Sequence, residues 1–227
     1  MTGILVQVRI TSSRLPRKAL LPLGDRTSIE QVMLALSRVQ ADIRALVTDP
    51  ESRGVLEPLA RRSGFRVSVG PRDDVLSRYA IAARRYGLST VIRATGDNPL
   101  VSAEVAHLAL EKHHQDGNDF TALIDAPLGT GVEVLQAEAL FRAEREADED
   151  YDREHVSPYI FSRPDRFRVY RERAPERYLM PDAKVTLDTP EDYELLQRIY
   201  RDLFRGEPIP IRELLCWLEL CTANRAR

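Results

Sequence analysis

Lysine is scarce in this chain. Of its 33 basic residues only Lys18, Lys112 and Lys184 are lysines. Nowhere do about 18 apolar residues follow one another, which rules against a helical membrane span. Net charge is only -2 and the pI is near 6.1. Without a chain-wide positive field, neither nucleic acid nor an anionic membrane is expected as a partner, and any anion must be bound locally. The two cysteines, Cys216 and Cys221, lie in an apolar stretch at a spacing that suits neither a zinc knuckle nor a redox pair. They read as buried thiols in a reducing compartment. The first eight residues enter an apolar run with no basic n-region, long h-region or small-residue cleavage site, so no export signal is expected and the location reads as cytoplasmic.

What is present is ordinary globular stock. With 43% hydrophobic and 30% charged residues, 227 residues can bury one full core. Strands are predicted at 3–8, 44–47, 65–69 and 90–94, alternating with helices at 28–39, 54–62, 73–86 and 102–114. In the first of these helices Ile29, Val32, Met33, Leu36 and Val39 share one face. Strict strand–helix alternation implies an α/β, Rossmann-like fold, a mostly parallel sheet with helices on both faces and ligands at the carboxyl ends of the strands. After Asp116 the rhythm changes to strands at 120–124, 131–135 and 167–170 around a charged helical region at 138–161. The run 184–187 reads as a last strand. Thr189 then caps a helix with Pro190 at its first position and Glu191 and Asp192 at its positive dipole end.

The chemistry starts after the first strand. Residues 9–18 hold four cations (Arg9, Arg14, Arg17, Lys18) and three hydroxyls (Thr11, Ser12, Ser13), and no glycine. A cation about 4 Å from a phosphate charge is worth roughly 4 kcal/mol at an effective dielectric of 20, so such a loop can hold a polyphosphate. Charge alone fits a solvated basic loop equally well. The missing glycine argues against a dinucleotide-binding turn, and no Gly-Lys-Ser or Gly-Lys-Thr stands for a P-loop. Downstream, Arg93-Ala94-Thr95-Gly96-Asp97-Asn98-Pro99-Leu100 closes the fourth strand, where the Asp97 carboxylate can serve a phosphate-bound magnesium ion or simply a turn. A metal-dependent glycosyltransferase would show Asp-x-Asp there, whereas Gly96-Asp97-Asn98 offers one acid. Capping accounts for Thr189 to Asp192, but Asp188 precedes the cap and needs another purpose.

The order Arg9, Ser12, Arg14-Leu15-Pro16, Lys18, with the segments around Asp97 and Asp188, resembles the cytidylyltransferases of spore-coat polysaccharide synthesis, relatives of the CMP-sialate and CMP-KDO synthetases. The family loop runs Ala-Arg-Met-Gly-Ser-Thr-Arg-Leu-Pro-Gly-Lys; Thr11 and Arg17 stand where it has glycine, and a side chain there restricts positive φ and close backbone approach. Weaker matches include Thr48-Asp49-Pro50, 70–79 and 154–159, so the resemblance spans about 4–200.

The resemblance implies the nucleotide-diphospho-sugar transferase version of this fold, as one domain over 1–227. About 1–115 would be the nucleotide-binding half, about 116–183 the acceptor-binding and dimer region, and 184–227 the second metal motif with the C-terminal helices. It implies an Mg2+-dependent transfer of CMP from CTP to a small acidic sugar-like acceptor (an ulosonic acid, a polyol phosphate or a phosphonate), giving a CMP-sugar-like product for polysaccharide biosynthesis, by a homodimer. Val8, Arg9, Ser12, Arg14, Lys18, Asp74, Arg78, Thr95 and Gly96 would face the nucleotide, with Arg9, Arg14 and Lys18 taking charge on the leaving pyrophosphate. Arg93, Glu133, Glu154 and His155 would meet the acceptor, and Asp97 and Asp188 the magnesium. Gly131 stands where the spore-coat relatives tend to have Asp. Two other readings stay open: a nucleotidyltransferase using another triphosphate, and a non-catalytic nucleotide-binding subunit.

Overall fold

The computed structural model describes residues 1–12 and 14–225. In chain order the elements are β1 (Thr2–Gln7), the hairpin strands β2 (Pro22–Leu23) and β3 (Arg26–Thr27), α1 (Ser28–Leu36), β4 (Ile43–Thr48), α2 (Pro50–Arg62), β5 (Arg66–Val69), α3 (Val75–Tyr86), β6 (Thr90–Thr95) and α4 (Ala103–Asp116). They continue with β7 (Phe120–Ile124), β8 (Glu133–Gln136), α5 (Ala137–Glu146), α6 (Asp150–His155), α7 (Pro158–Phe161), β9 (Val169–Arg173), α8 (Pro190–Leu203) and α9 (Ile211–Arg225). A 3-10 turn, Lys18–Leu20, precedes the hairpin.

One seven-stranded sheet runs in the order β5-β4-β1-β6-β8-β7-β9. Strands β5, β4, β1 and β6 are parallel, β8 is antiparallel to both β6 and β7, and β9 is parallel to β7. Strand β1 is apolar without alternation because both its faces are covered. Ile4 and Val6 pack with α1, α2 and α4, whereas Leu5 points to the other face with α3, α5 and α7. Each such side chain, fully buried, contributes about 1.5–3 kcal/mol. A third cluster joins α8 and α9 to Leu100, Val185 and Leu187.

Three expectations change. Residues 184–187 form no strand; Lys184 makes one isolated parallel bridge to Leu128. The reason is local, since the facing loop takes positive φ at Asp125 (65°) and Gly129 (106°) and cannot continue a ladder. The helical region at 138–161 is three helices, interrupted where Ala147 turns extended and Val156 turns to positive φ. Cys216 is exposed and Cys221 half-buried. The buried stripe of α9 is Ile211, Leu214, Leu215 and Leu218, and that spacing turns position 216 outward.

Candidate active site

The carboxyl ends of β1 and β6 open into a cleft of about 610 Å³. Gly96 lets β1 and the turn after β6 close up: a Cβ there would lie 2.8 Å from Val8 Cβ, and its N–H donates to Gln7 O at 2.8 Å. Arg17 adopts the left-handed conformation (φ 55°, ψ 29°) that favours glycine. Holding a non-glycine residue there costs roughly 1–2 kcal/mol, and the turn that follows carries Lys18 inward.

Lys18 Nζ lies 3.0 Å from Asp97 Oδ2 and 3.0 Å from Asp188 Oδ1. Arg14 Nη2 reaches the same Asp188 oxygen at 3.3 Å, while Thr186 Oγ1 donates to Asp188 Oδ2 at 2.9 Å. Burial works to raise the Asp188 pKa, but the hydrogen bonds from Lys18 and Thr186 and the charges of Lys18 and Lys184 outweigh it and hold the carboxyl below its ordinary value. Asp192 is occupied otherwise, closing the α8 capping box with Thr189 and pairing with Lys184 at 2.6 Å.

Deeper in the cleft, Arg78 is 2% exposed, and its Nε and Nη1 have no partner among the described residues. Burial, joined by the charge of Arg9, pushes its pKa down, against Tyr79, Asp49 and Asp74. Unpartnered donors on a buried guanidinium are groups that an anion entering the cleft could satisfy.

At the other end, Arg93 Nη1 donates to Glu133 Oε2 at 2.6 Å, and Ser157 Oγ donates to that oxygen at 2.5 Å. Burial opposes the Arg93 charge, yet Glu133, Tyr79 and Asp97 together outweigh it and keep the guanidinium above its ordinary pKa. Glu154 and His155 line the cleft, with the His155 ring 4.4 Å from that of Tyr151. They are held by a three-residue turn in which Ser157 N donates to His155 O at 2.8 Å across Val156 at φ 72°, ψ -61°. That is a strained γ-turn centred on a β-branched residue, the kind of feature that persists only when its surroundings enforce it.

Val8, Arg9, Ser12, Arg14, Lys18, Arg78, Arg93, Thr95, Gly96, Asp97, Glu154 and His155 thus come together around one cleft. Asp188 joins them through Lys18, and Glu133 through Arg93. Asp74 does not line the cleft: it caps α3 by accepting from Ser77 N at 2.8 Å and pairs with Arg153 at 3.1 Å. Ser13 lies outside the described residues. Sequence reasoning gave no site role to Gln7, Ala19, Asn98 and Thr186, which adjoin the three motifs, or to Arg72, Asp73 and Val75 of the weaker match at 70–79, all of which also face the cleft, as does Thr11 of the cationic loop. Leu128 had no such signal, since its loop reaches the cleft through tertiary pairing with the segment before Thr186.

The chain matches the family described as Cytidylyltransferase over residues 3–209. It is 35% identical over 221 residues to the spore coat polysaccharide biosynthesis protein SpsF of Bacillus subtilis (strain 168), covering 94% of this chain and 92% of that one. Among solved structures, a cytidylyltransferase from Leptospira borgpetersenii superposes with a TM-score of 0.88 at 26% identity, covering 99% of this chain and 95% of that one. A CMP:2-keto-3-deoxy-manno-octonic acid synthetase solved with CTP shares the fold at TM-score 0.66 and 14% identity, over 88% and 98% of the two chains. With that coverage and the convergence of its three motifs on one cleft, this chain belongs to the cytidylyltransferase family.

Proposed function

We propose that the cleft transfers CMP from CTP to a small acidic sugar-like acceptor and releases pyrophosphate, with Mg2+ held by Asp97 and Asp188. The observation that carries this reading is the position of Lys18 Nζ, 3.0 Å from both carboxylates, which brings the cationic loop and two acids from remote parts of the chain to one point. Two hard carboxylates beside a cationic loop fit magnesium, which commonly takes one or two protein oxygens and completes its shell with phosphates and water. No group of three or more acidic, His or Cys side chains suited to a metal occurs among the described residues. Bound magnesium supplies charge neutralisation at the triphosphate.

The remaining work falls to the chain itself. Arg9 and the buried Arg78 bind the triphosphate and orient it by charge. Arg14 and Lys18 stabilise the charge that grows on the pyrophosphate as it leaves. Arg93, fixed by Glu133, and the Glu154–His155 turn orient the acceptor. Its oxygen bonds to the α-phosphorus as the bond to the bridging oxygen of pyrophosphate breaks, and its proton passes to water. Catalysis is then mainly positioning and preorganised charge. A sugar-acid acceptor is supported by the likeness to a CMP:2-keto-3-deoxy-manno-octonic acid synthetase, and a place in polysaccharide biosynthesis by the likeness to the spore coat protein SpsF.

Pyrophosphate release measured with each of the four triphosphates and a panel of ulosonic acids, polyol phosphates and phosphonates tests the reading. CTP should exceed UTP by roughly tenfold to a hundredfold, since the wrong base edge leaves a buried group unpaired at about 1–3 kcal/mol. Equal release from all four would defeat the cytidylyl assignment.

A further inference from the structure

The loop that carries Arg9 and Arg14 is held to the body of the protein by the packing of Ile10 and Leu15, by the Arg14–Asp188 pair and by one backbone amide. Among the described residues between Arg9 and Pro16, one backbone group bonds outside the loop: Ile10 N donates to Ser52 Oγ at 2.9 Å. Ser52 sits in the first turn of α2 and is 1% exposed. Its hydroxyl proton points away from the loop, because Ser52 Oγ donates to Asp49 Oδ2 at 3.1 Å, and a lone pair is thereby left for Ile10. Asp49, also 1% exposed, takes Ser52 N on its other oxygen at 2.8 Å and so caps α2. The same Asp49 charge acts on Arg78, which also feels Arg9.

We propose that Ser52 is the positioning residue of the nucleotide loop. By receiving the Ile10 amide it sets where the neighbouring Arg9 stands at the wall of the cleft that Arg78 also lines. Helix capping alone does not require the hydroxyl, because the cap is made by the Ser52 backbone N–H. Nor does the hydroxyl touch the cleft, whose lining does not include Ser52. A tether matters in this chain because Arg17, at φ 55°, holds the end of the loop in a left-handed conformation that a side chain disfavours.

The inference rests on the reading of the loop as the CTP site, and the experiment separates the two. Calorimetric titration with CTP and magnesium, without acceptor, is run on the wild type, Ser52→Ala, Ser52→Thr, Arg9→Ala and the Arg9→Ala/Ser52→Ala double variant, each with its thermal midpoint. Ser52→Ala should weaken CTP binding roughly tenfold, equivalent to about 1.4 kcal/mol, while the α2 cap keeps the midpoint within a few degrees. Ser52→Thr should restore most of the affinity. In the Arg9→Ala background the further loss should largely vanish, the non-additivity expected of residues acting through one another. Ser52→Cys, nearly isosteric and a weak acceptor, gives the same loss if the alanine variant does not fold. Unchanged affinity in Ser52→Ala, or a loss that adds fully to that of Arg9→Ala, overturns the positioning role. A wild type that binds no CTP overturns the reading of the loop itself.

Discussion

Replacing Arg78 with methionine should make the protein more stable and a worse binder of nucleotide, and that opposition of signs is what makes the test sharp. Arg78 is 2% exposed with two guanidinium nitrogens unpartnered among the described residues. Each buried donor left unsatisfied costs about 1–3 kcal/mol. Methionine keeps most of the stem's packing and removes both donors and the charge, at the expense of the attraction to Asp49 and Asp74. A net gain of about 1–2 kcal/mol is expected, which for a chain of this length raises the thermal midpoint by roughly 2–8 °C. The same nitrogens, satisfied by an anionic ligand, form charge-assisted hydrogen bonds worth about 1.5–3 kcal/mol. CTP affinity should therefore fall by a factor on the order of ten to a hundred. Differential scanning calorimetry and CTP titration on one preparation read both numbers. A variant that melts lower and binds CTP as before would mean that Arg78 is a structural arginine and that the inner wall of the cleft has been misassigned.

Lys18→Ala should fold near wild type, since an ammonium between two acids is not a core group, and should lose nucleotide binding or turnover sharply; normal kinetics would remove Lys18 from the phosphate cradle. Asp97→Asn and Asp188→Asn should each reduce magnesium-dependent turnover by orders of magnitude, and together by less than the product, because they share Lys18 and one site. Full activity of either at limiting magnesium would show that the residue is no ligand. His113 is held by burial, with some repulsion from His114, at a pKa of about 4 against an ordinary 6.5. The unfolded chain therefore takes up a proton that the folded one refuses, and stability should decline as pH falls from 6.5 to about 4. His113→Gln should flatten that decline in urea titrations, and an NMR midpoint near 6.5 for the folded ring would refute the burial account.

Motif by motif, the sequence announced the cleft because its chemistry is local. The cationic run 9–18 and the acids at Asp97 and Asp188 each follow an apolar segment, and an apolar segment ending in polar residues marks the end of a buried strand or extended run. The parallel half of the sheet was legible for the same reason, through continuous apolar strands and amphipathic helices. Capping of α8 was legible too, because Thr189, Pro190 and Asp192 act within one turn of backbone. The breaks at Ala147 and Val156 were not, since nothing in 138–161 announces a γ-turn at a valine, whose surroundings are tertiary: Val156 is buried in the core and Ser157 bonds to Glu133 on a distant strand.

By itself the sequence determined the class of fold, the family and the residue types that line the cleft, since periodicity and short motifs encode what depends on neighbours a few positions away. The tertiary structure alone decided which of those residues meet. It joined Lys18 to both Asp97 and Asp188 across 79 and 170 positions of chain. It left Nε and Nη1 of Arg78 buried without a hydrogen-bond partner among the described residues, turned Asp74 into a helix cap, and bonded the Ile10 amide of the cationic loop to Ser52. The physical reason is the same in each case. A hydrogen bond between remote residues depends on how the intervening sheet and helices pack, and no short stretch of sequence carries that distance.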